Sequence, residues 1–312
     1  MKTVILPEAS VIRKWVFALA ASTLIVPTAR GADLVRGVRN KLSAGDVASG
    51  MAAVEDYKKS TGVDAEYLDA VGWLARGAQM LGRDDLALEL VGELRRQIPD
   101  ETQELLVPLG AAIEVEGRLL AGREGRGPAL RFLQDSLSRA KAPALRSRIY
   151  KNVNLLAMEG QPPPPLAASE FVGAAPPALD SLRGKPVLLF FWAFWCGDCK
   201  AQSASLARVW EKYRPKGLQL ITATRFYGSV GDKPATPAEE KAEVERAWKE
   251  NYAGLAGVPT IIDTETMVRY GASATPTFVL VDRRGVVRLY APTRLSEAEL
   301  SRRIDAVLAE GA

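Results

Sequence analysis

The sequence predicts two domains of different class: an all-α domain of helical hairpins over residues 32–160, then an α/β domain with a mixed central sheet over residues 169–312. Three observations carry this reading. From Asp33 to about Gly160 apolar residues recur at helical spacing. Gln161-Pro162-Pro163-Pro164-Pro165 then forbids helix and favours stiff extended geometry, so residues 161–168 read as a linker. Beyond it the element order is strand, helix, strand, helix, hairpin, helix, which needs a sheet covered by helices. A length of 312 residues suits two domains, and 47% apolar with 25% charged residues is ordinary globular composition rather than that of a disordered chain.

Residues 1–31 read as an export signal. Arg13 and Lys14 precede a 12-residue apolar run, Trp15 to Val26, followed by Pro27 and the small-residue site Ala29-Arg30-Gly31. The alternative is an uncleaved anchor, although the run is short for a bilayer span of ~20 residues. Cleavage after Gly31 removes four basic residues and one acidic one, leaving 37 basic against 36 acidic. With that balance and no long basic run, nucleic acid is not an expected partner.

Candidate helices follow at 46–60, 65–81, 84–97, 101–121, 128–140 and 143–158, separated by Gly62, Gly82, Pro99, Gly122 to Pro128 and Pro143. Leu86, Leu90 and Leu94 with Ala87 and Val91 make one apolar stripe, and Arg95-Arg96 suits the negative end of the helix dipole. Leu74, Ala75, Ala78, Gly82, Ala87 and Pro99 fall at the spacing of one tetratricopeptide-like repeat of about 34 residues. An irregular bundle without repeat ancestry is the competing reading. Either arrangement leaves room for a protein partner in a groove between hairpins.

Leu166 to Ala175 reads as an edge hairpin or an extended lead-in, and Ser181 to Lys185 as a turn. Pro186 to Trp192 is apolar without alternation, the mark of a strand buried on both faces. Helical spacing follows from Lys200 to Tyr213, a strand at Gly217 to Ala223, a polar loop between Gly228 and Pro237, and a helix from Ala238 to Tyr252. Thr260 to Asp263 is a short segment. Phe278 to Asp282 and Val286 to Tyr290 form a hairpin around Arg283-Arg284-Gly285. Ser296 caps the last helix, with Glu299 placed to complete a capping box.

Chemistry concentrates at Trp195-Cys196-Gly197-Asp198-Cys199. These are the only two cysteines, and the chain has no histidine, which excludes histidine haem ligation, Ser-His-Asp catalysis and most zinc hydrolase chemistry. The pair sits where a central strand hands over to a helix, whose N-terminal N–H groups and dipole stabilise a thiolate on Cys196. A redox couple is the natural reading. An inert disulfide, or a zinc site reached by dimerising through the pair, competes with it.

Gly184-Lys185-Pro186-Val187-Leu188-Leu189, Phe191-Trp192-Ala193-Phe194-Trp195-Cys196-Gly197-Asp198-Cys199-Lys200, and Tyr270-Gly271 leading to Ala274-Thr275-Pro276-Thr277-Phe278 together resemble a thioredoxin-fold protein. More narrowly, they resemble the TlpA/ResA-like thiol:disulfide oxidoreductases of the bacterial cell envelope, over residues ~169–310. The resemblance implies that Cys196 attacks and is exposed, that Cys199 resolves and is buried, and that Pro276 is a cis-proline facing them. It also implies that the Thr275 backbone receives the substrate chain and that Trp195 covers the thiol on a docking face. Without it, Pro276 would read as trans and Trp195 equally as core. It implies a periplasmic or envelope location, protein disulfide or dithiol substrates, a membrane or envelope electron donor, and no cofactor or metal beyond the Cys196–Cys199 disulfide.

The departures are specific. Thioredoxin places a buried aspartate where this chain has Phe190, and the envelope reductases often place a glutamate at the position of Gln202. Asp198 replaces the usual proline between the cysteines, and Ala204 a helix proline. The Asp198 charge disfavours a neighbouring thiolate and is expected to raise the Cys196 pKa, though it could also accept the Cys199 proton or merely cap the helix. The expected activity is thiol-disulfide exchange, more in the sense of a reductase. The alternatives are a helical binding scaffold with a vestigial redox domain, or a thiol peroxidase, although peroxiredoxin-type sites carry a hydroxyl residue where this chain has Ala193.

Overall fold

The computed structural model describes residues 31–168 and 170–310; the export-signal reading lies outside them. Seven helices come first: α1 (Gly31–Ser43), α2 (Val47–Thr61), α3 (Ala65–Met80), α4 (Asp84–Gln97), α5 (Leu106–Arg123), α6 (Arg126–Arg139) and α7 (Pro143–Ala157). Among the described residues none is long and apolar enough to cross a membrane. Local chemistry fixes several ends. The Asp46 and Asp64 carboxylates accept the N–H groups of Ser49 and Tyr67, and Gly62 stops α2 at φ 98°. α3 and α4 form a hairpin across Gly82, with Leu74, Ala75, Ala78 and Ala87 fully buried. Those are the positions the repeat-like spacing singled out.

Two expectations need correction here. Helix α1 was not anticipated, because Arg36, Arg39, Asn40 and Lys41 dilute a stripe of Leu34, Val35, Val38 and Leu42 that packs on the helical core. The helix expected from residue 101 starts at Leu106, after a 3-10 turn at Gln103–Leu105. Glu101 instead uses its carboxylate to accept the N–H groups of Lys141 and Ala142 across the entrance to α7.

The second domain runs β1 (Phe171–Val172), β2 (Val187–Phe191), α8 (Gly197–Tyr213), β3 (Gln219–Thr224), β4 (Ser229–Val230), β5 (Lys233–Pro234), α9 (Pro237–Asn251), β6 (Thr260–Ile262), α10 (Thr264–Arg269), β7 (Thr277–Val281), β8 (Val287–Ala291) and α11 (Glu297–Ala309). Six strands form one mixed sheet in the order β1-β6-β3-β2-β7-β8. β2 is parallel to β3 and antiparallel to β7, so it is central. All five of its residues are buried. Leu188 and Phe190 enter the core under α8, α9 and α11, whereas Val187, Leu189 and Phe191 enter the core on the opposite face with Met267 and Tyr270.

Among the described residues of the lead-in, Phe171 and Val172 pair with β6, and the Glu170 carbonyl accepts the Ile262 N–H at 2.8 Å. The loop at 228–237 contains the small β4-β5 hairpin, and α10 lies in a stretch for which the sequence predicts no element. α10 is only six residues long, started by the Asp263 carboxylate on the Thr266 N–H at 2.6 Å. At α11 half of the expected capping box forms: Ser296 accepts the Glu299 N–H, but the Glu299 carboxylate turns to Arg302 and Arg303. The complete box is at α9, between Thr236 and Glu239.

The helical domain is docked on the second domain through α7 and α10. Asn154 donates to the Arg269 carbonyl at 3.0 Å, and Gly271, at φ 61°, lies so close to the Tyr150–Lys151 backbone that a Cβ would collide with it. Gly160 and Gln161 exchange hydrogen bonds with Val287 at 2.9 Å each, extending the β8 edge. The Tyr270 hydroxyl donates to the Pro164 carbonyl, so the proline run lies along the second domain rather than holding the two apart.

Candidate active site

The site forms where β2 ends and α8 begins. Cys196 is the N-cap of α8, and its sulfur accepts the Cys199 N–H at 3.1 Å. The two cysteines are joined as a disulfide, with Cα atoms 5.3 Å apart. Cys199 is fully buried, and Cys196 is 5% exposed. The order is the expected one, but Cys196 is far less open than the resemblance implies, because its sulfur lies 3.4 Å from the Thr275 carbonyl oxygen. The Thr275-Pro276 peptide bond is cis and brings that carbonyl to the disulfide.

Trp195 is 57% exposed beside the disulfide and meets the Tyr227 ring edge-on at 5.3 Å. Phe194 is buried and also meets Tyr227, and the Arg225 guanidinium lies over that ring at 4.6 Å. Burial pushes the Tyr227 hydroxyl up from its ordinary range. The loop carrying Tyr227 is held by Glu240, a buried carboxylate in α9 that accepts the N–H groups of Tyr227 at 2.5 Å and Gly228 at 2.7 Å. Behind the site, Phe190 lies 5.1 Å from Phe278 and 6.1 Å from Tyr252, an apolar packing where a carboxylate would be costly.

Gly197 opens α8 with free space on its Cα. Asp198 follows in the first turn, exposed, with the Arg294 guanidinium 3.6 Å from its carboxylate. It does not cap the helix, since the Cys196 sulfur holds that position. One turn further, Gln202 is 2% exposed and grips one backbone unit from both sides: its Oε1 accepts the Leu295 N–H at 3.0 Å and its Nε2 donates to the Leu295 carbonyl at 2.8 Å. Its Nε2 also lies 2.7 Å from the Ser205 hydroxyl oxygen.

All seven residues singled out from the sequence therefore lie at or beside the disulfide. Sequence reasoning missed Tyr227 and Arg294, which reach the site from loops distant along the chain, and Glu240, which holds the Tyr227 loop from α9. In the sequence Gln202 stands out only as a departure from the envelope reductases.

The AhpC/TSA family matches residues 172–290. The thioredoxin-like protein YneN of Bacillus subtilis is 25% identical over 157 residues, 50% of this chain and 84% of that protein. The thiol-disulfide oxidoreductase ResA of Geobacillus thermodenitrificans is 26% identical over 131 residues, 41% of this chain and 67% of that protein. Among solved structures, a thiol:disulfide interchange protein DsbE from Chlorobium tepidum aligns with 24% identity and a TM-score of 0.39, covering 48% of this chain and 97% of its own. The matches fall on the C-terminal half, where the mixed sheet, the Cys196–Cys199 pair and the Pro276 turn lie. That half is an α/β domain with a mixed sheet, similar to the ResA-type thiol-disulfide oxidoreductases, and it follows an all-helical domain.

Proposed function

We propose that the chain exchanges thiols and disulfides with other proteins through Cys196 and Cys199, outside the cytoplasm and in the direction of a reductase. The observation that carries this is the pairing of the two sulfurs at the N-terminus of α8, with the Thr275 carbonyl 3.4 Å from the Cys196 sulfur. In the reduced protein, the Cys199 N–H and the helix dipole favour the Cys196 thiolate. That thiolate attacks one sulfur of a target disulfide, and the other sulfur leaves as a thiolate that takes a proton. Cys199, deprotonated, then attacks the Cys196 sulfur of the mixed disulfide. The target gains two electrons and two protons, and the Cys196–Cys199 bond closes. A reduced partner, expected to be a membrane or envelope protein, must reopen it.

Trp195 with Tyr227 offers an apolar face beside the sulfurs, and the Thr275 backbone is available to an extended substrate. Export is supported by the basic and apolar leader of residues 1–31. The helical domain would select the partner. A peroxidase reading is disfavoured because Ala193, three residues before Cys196, is buried and has no hydroxyl. The test is Cys199→Ser, expressed with its leader in a bacterial host. A mixed disulfide through Cys196 should accumulate and be released by dithiothreitol; absence of any such adduct, together with no reduction of insulin by the wild-type protein, would sink the proposal.

A further inference from the structure

We infer that Gln202 and Arg294 are positioning residues for the thiol chemistry: Gln202 clamps the loop before α11 so that Arg294 neutralises Asp198, whose charge would otherwise suppress the Cys196 thiolate. This rests on the exchange proposed above only in taking Cys196 as the reacting thiol.

Asp198 stands between the two cysteines in the first turn of α8, where its negative charge opposes a thiolate at the N-cap. The Arg294 guanidinium lies 3.6 Å from its Oδ1. Two exposed side chains do not hold such a pair by attraction alone, since a surface ion pair contributes only ~0–1 kcal/mol. The backbone of the loop must therefore be fixed, and Gln202 fixes it at the next residue. Both faces of its amide are used, the oxygen toward the Leu295 N–H and the nitrogen toward the Leu295 carbonyl, so the amide has one orientation. A glutamate at 202 could accept from the N–H but would set a second acceptor against the carbonyl, as a buried charge. Gln202 is thus no proton acceptor in place of a glutamate; it belongs to a different device.

The other charges around Cys196 do not serve this purpose. Arg225 is stacked on Tyr227, Glu240 is taken by two backbone N–H groups, and Glu297 pairs with Arg208. Lys200 is exposed on α8, with Glu243 close enough for its carboxyl to feel the ammonium. The stretch from Gly271 to Thr277 contains no titratable side chain.

The measurement is the pH profile of iodoacetamide alkylation of Cys196 in the chemically reduced full chain. An exposed charge two residues away, screened by water, moves such an equilibrium by about two- to threefold. Arg294→Gln should slow alkylation at pH 7 by that factor and displace the profile to higher pH, Arg294→Lys should leave it near wild type, and Asp198→Asn added to Arg294→Gln should restore it. Gln202→Ala should reproduce the Arg294→Gln profile and have no further effect in the Arg294→Gln background. An unchanged profile in Arg294→Gln, or an equal Gln202→Ala effect in both backgrounds, overturns the inference; if Gln202→Ala does not fold, the Arg294 and Asp198 variants decide. Alkylation needs no exchange partner. Loss of the exchange proposal with these shifts intact, and the reverse, are therefore separate results.

Discussion

Replacing Glu114 by glutamine should be among the most destabilising isosteric changes in the helical domain. Glu114 on α5 is 3% exposed and receives Arg76 of α3 at 3.3 Å, Arg118 at 2.9 Å and Lys151 of α7 at 2.9 Å. Burial alone would raise its pKa, but Lys151, Arg76 and Arg118 outweigh burial and hold the carboxyl down at about 2, against the ordinary 4.5. At ~1.4 kcal/mol per pH unit, that difference corresponds to about 3 kcal/mol of stability at neutral pH. The partners bear the opposite burden: burial brings Arg76 down to about 10 and lowers Lys151 as well. The cluster as a whole is therefore close to neutral for stability, while removing its one carboxylate leaves buried cations uncompensated, at about 3–5 kcal/mol. The folded pKa is the depressed one, so the stabilisation is complete above the unfolded value near 4.5 and is lost as pH falls through about 2. Urea unfolding of wild type and Glu114→Gln at pH 7 and pH 3 reads this directly. The gap should exceed about 2 kcal/mol at pH 7 and narrow at pH 3. A gap below about 1 kcal/mol at pH 7, or one that does not change with pH, would refute the reasoning.

Other outcomes follow from the same geometry. Burial, then the Glu66 charge, pushes the Asp69 carboxyl up to about 6, and its Oδ1 has no partner among the described residues. A raised carboxyl loses stability as pH rises from the ordinary 3.8 through about 6, so Asp69→Asn should be more stable by on the order of 1–2 kcal/mol at pH 7 and level with wild type at pH 3, by thermal unfolding. Gly271→Ala combines a positive φ with a collision against Lys151 and should loosen α7 from α10. Limited proteolysis should then cut between residues 158 and 168, and an unchanged digestion pattern would contradict the docking. Glu240→Gln should weaken the grip on the Tyr227 loop and slow exchange with a protein disulfide more than with a small one, measured by paired rate constants.

What the sequence made legible follows from range. Elements with strong local signals, such as the unbroken apolar run of β2 or the Pro143 start of α7, were placed to within a residue or two. Weak local signals failed. The charge-rich α1, the six-residue α10 and the two-residue β4 and β5 depend on packing against chain far away. The site divides the same way. Cys196 to Cys199 and Thr275-Pro276 are contiguous motifs, whereas Arg294 reaches Asp198 across 96 positions and Glu240 holds a loop 12 to 13 residues away. Asp198 is visible in the sequence as a charge between the cysteines, but its partner Arg294 is brought to it only by the fold. Gln202 read as a lost carboxylate because its two hydrogen bonds to Leu295 exist only in the fold.

The central claim is that the Cys196–Cys199 bond opens and closes as electrons pass to and from other proteins. Mass spectrometry of the purified chain, first with dithiothreitol and then with a disulfide-bonded protein such as insulin, tests it most directly. The account predicts that the oxidised chain takes up two hydrogens at these cysteines and that the reduced chain gives them to the target while its own disulfide re-forms. A bond that resists dithiothreitol in the folded protein, or a reduced pair that leaves the target disulfide intact, would contradict it.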